Sequence, residues 1–145
     1  MRMPVLLALF AGLWLTATPA DVRAETYNTC KGFITALPAT ISTQGTWCLR
    51  KDLSTAIASG SAIEITAHNV TIDCNGFKLG GLGAGDSTET VGIRANGRAN
   101  TVVRNCNIRG FARGVFLQGT SLGSSGGDIV EENRVQGNTW YGVTA

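Results

Sequence analysis

The chain has 145 residues, with 19 glycines, four cysteines, a single histidine and a formal net charge of +2. A net charge this close to zero gives no electrostatic reason to expect nucleic acid or an anionic membrane as a partner. Many Val, Ile and Thr residues between glycine-rich turns predict an all-β fold, and the length suits one domain.

Residues 1–24 have the pattern of an export signal. Arg2 precedes an apolar run at residues 5–15 (VLLALFAGLWL), and the small residues Ala20 and Ala24 offer cleavage points. The apolar run is too short to cross a bilayer, which takes about 20 residues. We therefore predict a signal peptide and a secreted or periplasmic protein that leaves the membrane after cleavage. The alternative is an uncleaved membrane anchor.

Residues 25–60 are predicted to form an N-terminal cap region. The four cysteines follow an export signal, so disulfides are permitted, and three connectivities are open. We favour Cys30 with Cys48, because both flank one apolar segment where a terminal cap gains from a cross-link. Cys74 and Cys106 either pair or lie in the interior as small apolar residues. With no CxxC motif and one histidine, no metal site is predicted.

A repeat in residues 61–145 is the main structural signal. Residues 72–77 (IDCNGF), 103–108 (VRNCNI) and 130–135 (VEENRV) align without gaps, at offsets of 31 and 27. A second set aligns residues 91–95, 113–117 and 141–145, with a weaker copy at residues 63–67 placed 28 residues before the first of these. Such periods indicate a solenoid, and short alternating segments between Gly and Asn bends indicate strands. The prediction is a right-handed parallel β-helix of about three to four coils.

Equivalent positions in successive coils should lie about 4.8 Å apart, so the alignment predicts columns of side chains. The predicted inward columns are Ile72, Val103 and Val130; Phe77, Ile108 and Val135; and Ile93, Val115 and Val143. The predicted outer columns are a charge ladder of Asp73, Arg104 and Glu131, and a turn ladder of Asn75, Cys106 and Asn133. We interpret both outer columns as structural.

Two insertions interrupt the repeat, at residues 80–90 (GGLGAGDSTET) and 119–127 (GTSLGSSGG). In solenoids such insertions often mark a binding face, although a tolerated surface loop is the alternative. Lys78, Arg109 and Gln136 are predicted to stack on one face, with Arg113 close by. This basic strip would attract a uronic-acid polymer, unless it is simply a solvated sheet face.

Asp128, Glu131 and Glu132 are the only tight group of acids in the mature sequence. Paired carboxylates serve glycoside hydrolysis, or bind Ca²⁺ with help from carbonyl groups. Glu131 and Glu132 are adjacent on a predicted strand and should point to opposite faces. Asp128 and Glu132 are therefore only ligand-surface candidates, and we assign no catalytic, metal-binding or cofactor-binding residue.

Residues 69–76 (NVTIDCNG) and 101–111 (TVVRNCNIRGF) resemble the coil signature of bacterial exported parallel β-helix proteins of the pectin-lyase-like superfamily. Residues 40–49 (TISTQGTWCL) resemble the capping strand that precedes such coils. The resemblance covers most of the mature chain. The resemblance implies membership of a superfamily that includes polysaccharide lyases, polygalacturonase-like hydrolases, uronan epimerases and uncharacterised exported proteins. The acidic calcium ligands of the lyases and the aspartate and histidine group of the hydrolases have no counterpart here.

The chain resembles a short or truncated member of this superfamily. Residues 141–145 lie within a strand pattern with no evident C-terminal cap, and an uncapped coil predicts self-association. The favoured hypothesis is a non-catalytic exported module, structural or polysaccharide-binding. The alternative is the N-terminal part of a carbohydrate-active enzyme, a polysaccharide lyase or glycoside hydrolase of acidic polysaccharides.

Overall fold

The computed structural model describes residues 27–119 and 126–145. The predicted signal peptide lies outside the described residues, and so does most of the predicted insertion at residues 119–127. Within the described ranges the chain is built from short β-strands and one single-turn 3-10 helix, Leu82–Ala84. The predicted all-β fold is confirmed.

The described strands are mostly three to six residues long, as expected for segments bounded by glycine and asparagine. They are β1 (Gly32–Ile34), β2 (Ala39–Ile41), β3 (Gly45–Leu49), β4 (Leu53–Ser54), β5 (Ser61–Ile65), β6 (Val70–Asp73), β7 (Lys78–Gly80), β8 (Val91–Asn96), β9 (Thr101–Arg104), β10 (Asn107–Arg109), β11 (Arg113–Gln118), β12 (Ile129–Glu131), β13 (Arg134–Gln136) and β14 (Tyr141–Thr144).

Three parallel sheets form the walls of the molecule. The first sheet has the order β1-β3-β6-β9-β12, the second β4-β7-β10-β13, and the third β2-β5-β8-β11-β14. The chain visits the three sheets in turn, so β3 to β5, β6 to β8, β9 to β11 and β12 to β14 make four stacked turns above β1 and β2. The fold is a parallel β-solenoid. A right-handed winding is expected, because nearly all parallel crossover connections have that hand.

Two of the predicted inward columns are confirmed by the strand register. Ile72 pairs with Val103 and Val103 with Val130 in the first sheet. In the third sheet Ile93, Val115 and Val143 form a second column. Ile72, Val103, Ile93 and Val115 are fully buried, so β-branched side chains fill the interior of the middle turns.

The third predicted column is wrong in its first member. Leu79, not Phe77, pairs with Ile108. The physical reason is the length of the bend, because residues 74–77 separate β6 from β7, whereas only residues 105–106 separate β9 from β10. The same difference overturns the predicted stacking of Lys78 on Arg109, since Lys78 pairs with Asn107.

The weaker copy of the repeat at residues 63–67 was also placed in the wrong register. Ile63, rather than Ile65, pairs with Ile93. A shift by two residues keeps every side chain on its own face, because strand side chains alternate with a period of two. Ile63 and Ile65 are accordingly both buried, although their partners differ from those of the alignment.

The predicted charge ladder has the expected register but not the expected exposure. Asp73 pairs with Arg104, and Arg104 with Glu131. Asp73 is only 5% exposed, and its carboxylate accepts hydrogen bonds from Arg104 Nε at 2.9 Å and Asn105 Nδ2 at 3.1 Å. A buried charge needs such partners, so the Asp73 side chain belongs to the packing between coils rather than to the outer surface.

Both cysteine pairs form disulfides, with Cys30 bonded to Cys48 and Cys74 bonded to Cys106. The favoured first pair is confirmed, and for the second pair the bonded alternative is the observed one. The Cα atoms are 5.8 Å apart in the first pair and 4.7 Å apart in the second. The second disulfide joins two successive bends of the solenoid, because its cysteines follow β6 and β9.

Candidate functional site

An open groove of about 480 Å³ crosses the outer side of the second sheet. It lies where β4, β7 and β10 pass beside one another and where the inserted loop leaves β7. Eight residues line the groove: Ser54, Thr55, Ala56, Lys78, Gly80, Leu82, Gly83 and Arg109. The groove therefore combines two cations, hydroxyl groups and an apolar side chain.

Lys78 is held in place by Asp52 of the preceding turn. Its backbone N–H donates to Asp52 Oδ1 at 2.9 Å, and its ammonium group lies 3.5 Å from Asp52 Oδ2. Both side chains are substantially exposed, at 41% and 58%, so the pair contributes little to stability. Its effect is to fix the direction of the lysine and to offset its charge.

Arg109 carries the less compensated positive charge of the groove. It ends β10, pairs with Gly80 across the sheet and is exposed. Among the described residues, its guanidinium has neither an ion-pair partner nor a hydrogen-bond partner. A planar guanidinium binds carboxylate or sulfate oxygens with two parallel hydrogen bonds, so Arg109 is the strongest anion-binding group in the groove.

The wall formed by Leu82 depends on two glycines. A Cβ on Gly81 would lie 2.5 Å from the carbonyl oxygen of Gly110, and Gly110 itself has φ +79°. A Cβ on Gly110 would lie 2.6 Å from the backbone nitrogen of Leu82. The close approach places Leu82 beside the β10 corner with its side chain 56% exposed.

The inserted loop at residues 80–90 is fixed to the turn before it. The buried Thr90 hydroxyl donates to the carbonyl oxygen of Ile57 at 2.6 Å, and Glu89 N–H donates to the carbonyl oxygen of Ala58 at 2.9 Å. Thr90 N–H also bonds to the hydroxyl of Thr88 at 3.2 Å. These bonds give the groove wall a defined position.

Lys78 and Arg109 are the two predicted surface candidates that the structure brings together. Arg113 starts β11 in the third sheet, with its guanidinium carbon 5.2 Å from the Phe116 ring centroid and 5.5 Å from that of Trp140. It is absent from the lining of the groove. Of the predicted basic strip, Lys78 and Arg109 therefore lie on neighbouring strands and Gln136 pairs with Arg109, whereas Arg113 lies outside the groove.

The two acidic candidates, Asp128 and Glu132, lie on the last described turn, where their positions are explained by the packing and the bends of the solenoid. Asp128 Oδ1 accepts the backbone N–H of Thr101 at 2.8 Å, which links two coils. Glu132 lies in the bend after β12 with φ +52°, rather than on a strand as predicted. Neither residue lines the groove.

Sequence reasoning missed Asp52, Ser54 and Thr55 as part of this site. Ser54 ends β4, which has only two residues, too few to show any periodicity. The one available signal was the mostly polar segment at residues 50–56 (RKDLSTA), which has the composition of an ordinary loop when the strand pairing is not known.

No group of three or more metal-binding side chains comes together in the described ranges. In the same part of the chain, helices of the length and apolarity required to cross a bilayer are not found.

The fold places the chain in the class of parallel β-solenoids. Comparison of the chain with family models, with curated proteins and with solved structures found no match.

Proposed function

We propose that the protein contains an exported, non-catalytic β-helix module of the pectin-lyase-like superfamily that binds an acidic polysaccharide in the groove around Lys78 and Arg109. The observation that carries the proposal is the exposed Arg109 guanidinium, which has no partner among the described residues and lies in a groove lined by hydroxyl groups. A carboxylate on a sugar unit is the complementary group.

The rest of the groove suits a sugar chain. The hydroxyl groups of Ser54 and Thr55 offer donors and acceptors for sugar hydroxyls, and Leu82 offers an apolar surface for the C–H face of a ring. Lys78 supplies a second cation on the neighbouring strand, and its Cα atom is about 8 Å from the Cα atom of Arg109 by strand geometry. The spacing permits contact with one acidic unit and its neighbour.

Export is part of the same proposal. The two disulfides support a location where thiols are oxidised, since structural disulfides are rare in reducing compartments. The pattern of residues 1–24 agrees with secretion or with the periplasm.

Binding of de-esterified homogalacturonan oligomers, measured by isothermal titration calorimetry, tests the proposal. We expect Arg109→Ala to weaken binding at least tenfold and Arg109→Lys to restore part of it, because Lys keeps the charge but not the bidentate geometry. Affinity should also fall as salt rises. Arg94→Ala is the matched control, since Arg94 lies on the third sheet and contacts Glu64 at 4.0 Å.

Equal loss of affinity in Arg94→Ala and Arg109→Ala would refute the groove as the site, and absence of binding would refute the function. The same samples, incubated with Ca²⁺ and assayed for unsaturated ends and new reducing ends, test the alternative of an enzyme. Sustained turnover would replace the non-catalytic proposal with a lyase or a hydrolase.

A further inference from the structure

The outer face of the second sheet continues past the groove onto β13. The middle residues of β7, β10 and β13 face the interior, since Leu79 and Ile108 are fully buried and Val135 packs against the core. Side chains alternate along a strand, so the residues on either side of each middle residue face outward. This direction is set by the strand register alone. The outward residues are Lys78 and Gly80 on β7, Asn107 and Arg109 on β10, and Arg134 and Gln136 on β13.

These outward positions carry three cations and no acid. The register places Lys78, Asn107 and Arg134 in one column, and Gly80, Arg109 and Gln136 in the column beside it. Arg109 therefore lies diagonally between Lys78 and Arg134. By strand geometry its Cα atom is about 8 Å from the Cα atoms of both, and those two are about 10 Å apart. Charge of one sign concentrated on one face attracts a ligand of the opposite sign.

The three cations differ in how far their charge is offset. Lys78 lies 3.5 Å from the carboxylate of Asp52, whereas Arg109 has no ion-pair partner within the described ranges. Arg134 Nε donates to Gln136 Oε1 at 3.1 Å, and this neutral group positions the guanidinium without neutralising it. The attraction for acidic groups is therefore strongest between Arg109 and Arg134, away from Asp52.

Two guanidinium groups on neighbouring strands match a ligand with two acids. A carboxylate has two oxygens, and one guanidinium uses both of them in a bidentate pair. The second guanidinium then needs a second carboxylate. When both carboxylates belong to one polymer, the second contact forms within the bound ligand and raises the affinity without another association step.

We infer that Arg134 is a second acid-binding position of the groove, and that the preferred ligand is an uninterrupted run of uronic acid units. A chain in which acids are isolated among neutral or esterified sugars fills only the position at Arg109. The inference rests on the proposed function of the groove. It adds to that function the class of polymer that the site selects.

Isothermal titration calorimetry with two homogalacturonan hexamers tests the inference. One hexamer is fully de-esterified, and the other carries a single free carboxylate, with methyl esters on the remaining units. We expect Arg134→Ala to weaken binding of the de-esterified hexamer by at least about fivefold, and binding of the other by less than about twofold, because only the first ligand has an acid to lose at Arg134. Arg134→Lys should recover part of the loss, since Lys keeps the charge.

Arg113→Ala is the matched control, because it removes an equal charge from the third sheet, where the guanidinium lies near Phe116 and Trp140. It should leave both affinities within about twofold of the wild-type values. Circular dichroism checks the folding of each variant. Should Arg134→Ala fail to fold, Arg134→Gln, which removes the charge and keeps a long polar side chain, takes its place with the same expected result.

An Arg134 variant that binds the de-esterified hexamer as tightly as Arg113→Ala does would overturn the inference, and so would an equal loss for both hexamers. In either case a loss of affinity in Arg109→Ala would still support the groove as the site. Absence of binding by the wild-type protein would overturn the inference and the proposed function together.

Discussion

Glu132 has a left-handed backbone conformation that suits it poorly. Three bends between the first and second sheets contain such a residue, namely Asn75 with φ +49°, Asn105 with φ +54° and Glu132 with φ +52°. Asparagine tolerates this region because its short amide bonds locally to the turn, whereas other residues with a Cβ atom lose roughly 1–2 kcal/mol there. The last of the three bends is therefore the strained one.

Glu132→Asn should stabilise the protein by about 0.5–1 kcal/mol, because it removes part of this backbone cost. Urea unfolding followed by circular dichroism measures the change in the free energy of unfolding. Glu89→Asn is the control, since it removes the same charge from an exposed loop residue with no positive φ. Equal effects of the two substitutions would show that loss of charge, not relief of strain, is responsible.

The inserted loop between β7 and β8 is the element on which the groove depends. It carries Leu82 and Gly83 in the groove wall, and it spans ten residues, 81–90, because Gly80 of the predicted insertion still belongs to β7. Its hydrogen bonds to Ile57 and Ala58 compensate for the lack of strand pairing within the loop. The hydrogen bond donated by the buried hydroxyl of Thr90 is the most important of these bonds.

Thr90→Val should destabilise the protein by about 1–3 kcal/mol, because the substitution keeps the shape but leaves the Ile57 carbonyl without its buried donor. Amide exchange should also accelerate across residues 82–89. Thr40→Val is the matched control, since Thr40 is exposed on β2. Unchanged exchange of the loop in Thr90→Val would contradict the role given to this bond.

The strand register shows which parts of this fold could be predicted from the sequence. The columns through Ile72 and Ile93 were predictable, because buried β-branched residues recur in the same place in each coil. The register of Leu79 was not predictable from a gap-free alignment, because bends of different length leave no hydrophobic signature. The left-handed conformation of Glu132 was not predictable either, because glutamate is not a residue typical of turns.

The candidate site was predictable only in parts. Lys78, Arg109 and the insertion at residues 80–90 each stood out in the sequence. Their meeting in one groove depends on β4, whose two residues show no periodicity, and on the correct pairing of Arg109 with Gly80. Long-range register, not residue type, brought them together.

At the scale of the whole molecule, stability arises from contacts between successive turns. In a solenoid each coil contacts only its neighbours, so the coupling between them sets the cooperativity of unfolding. The disulfide between Cys74 and Cys106 crosses such an interface and joins cysteines 32 positions apart in the sequence, while the Cys30 and Cys48 disulfide joins cysteines 18 positions apart at the first turns.

Removal of either disulfide should cost about 3–4 kcal/mol by the chain-entropy estimate, with the longer loop of Cys74 and Cys106 costing slightly more. Cys74→Ala/Cys106→Ala and Cys30→Ala/Cys48→Ala are compared by thermal and urea unfolding. A paired comparison under reducing conditions is the control, because the wild-type protein should then approach the double variants. Identical unfolding midpoints for the wild-type protein and both variants would contradict the estimate.

Parallel stacking of the turns also fixes where the two ends of the fold lie. Gly32 opens the first sheet and Thr144 closes the third, so the chain advances along one axis by about 4.8 Å with every circuit. The strands β1 and β14 therefore lie at opposite ends of the described stack. Adding or deleting a coil would change the length of the described stack in steps of about 4.8 Å.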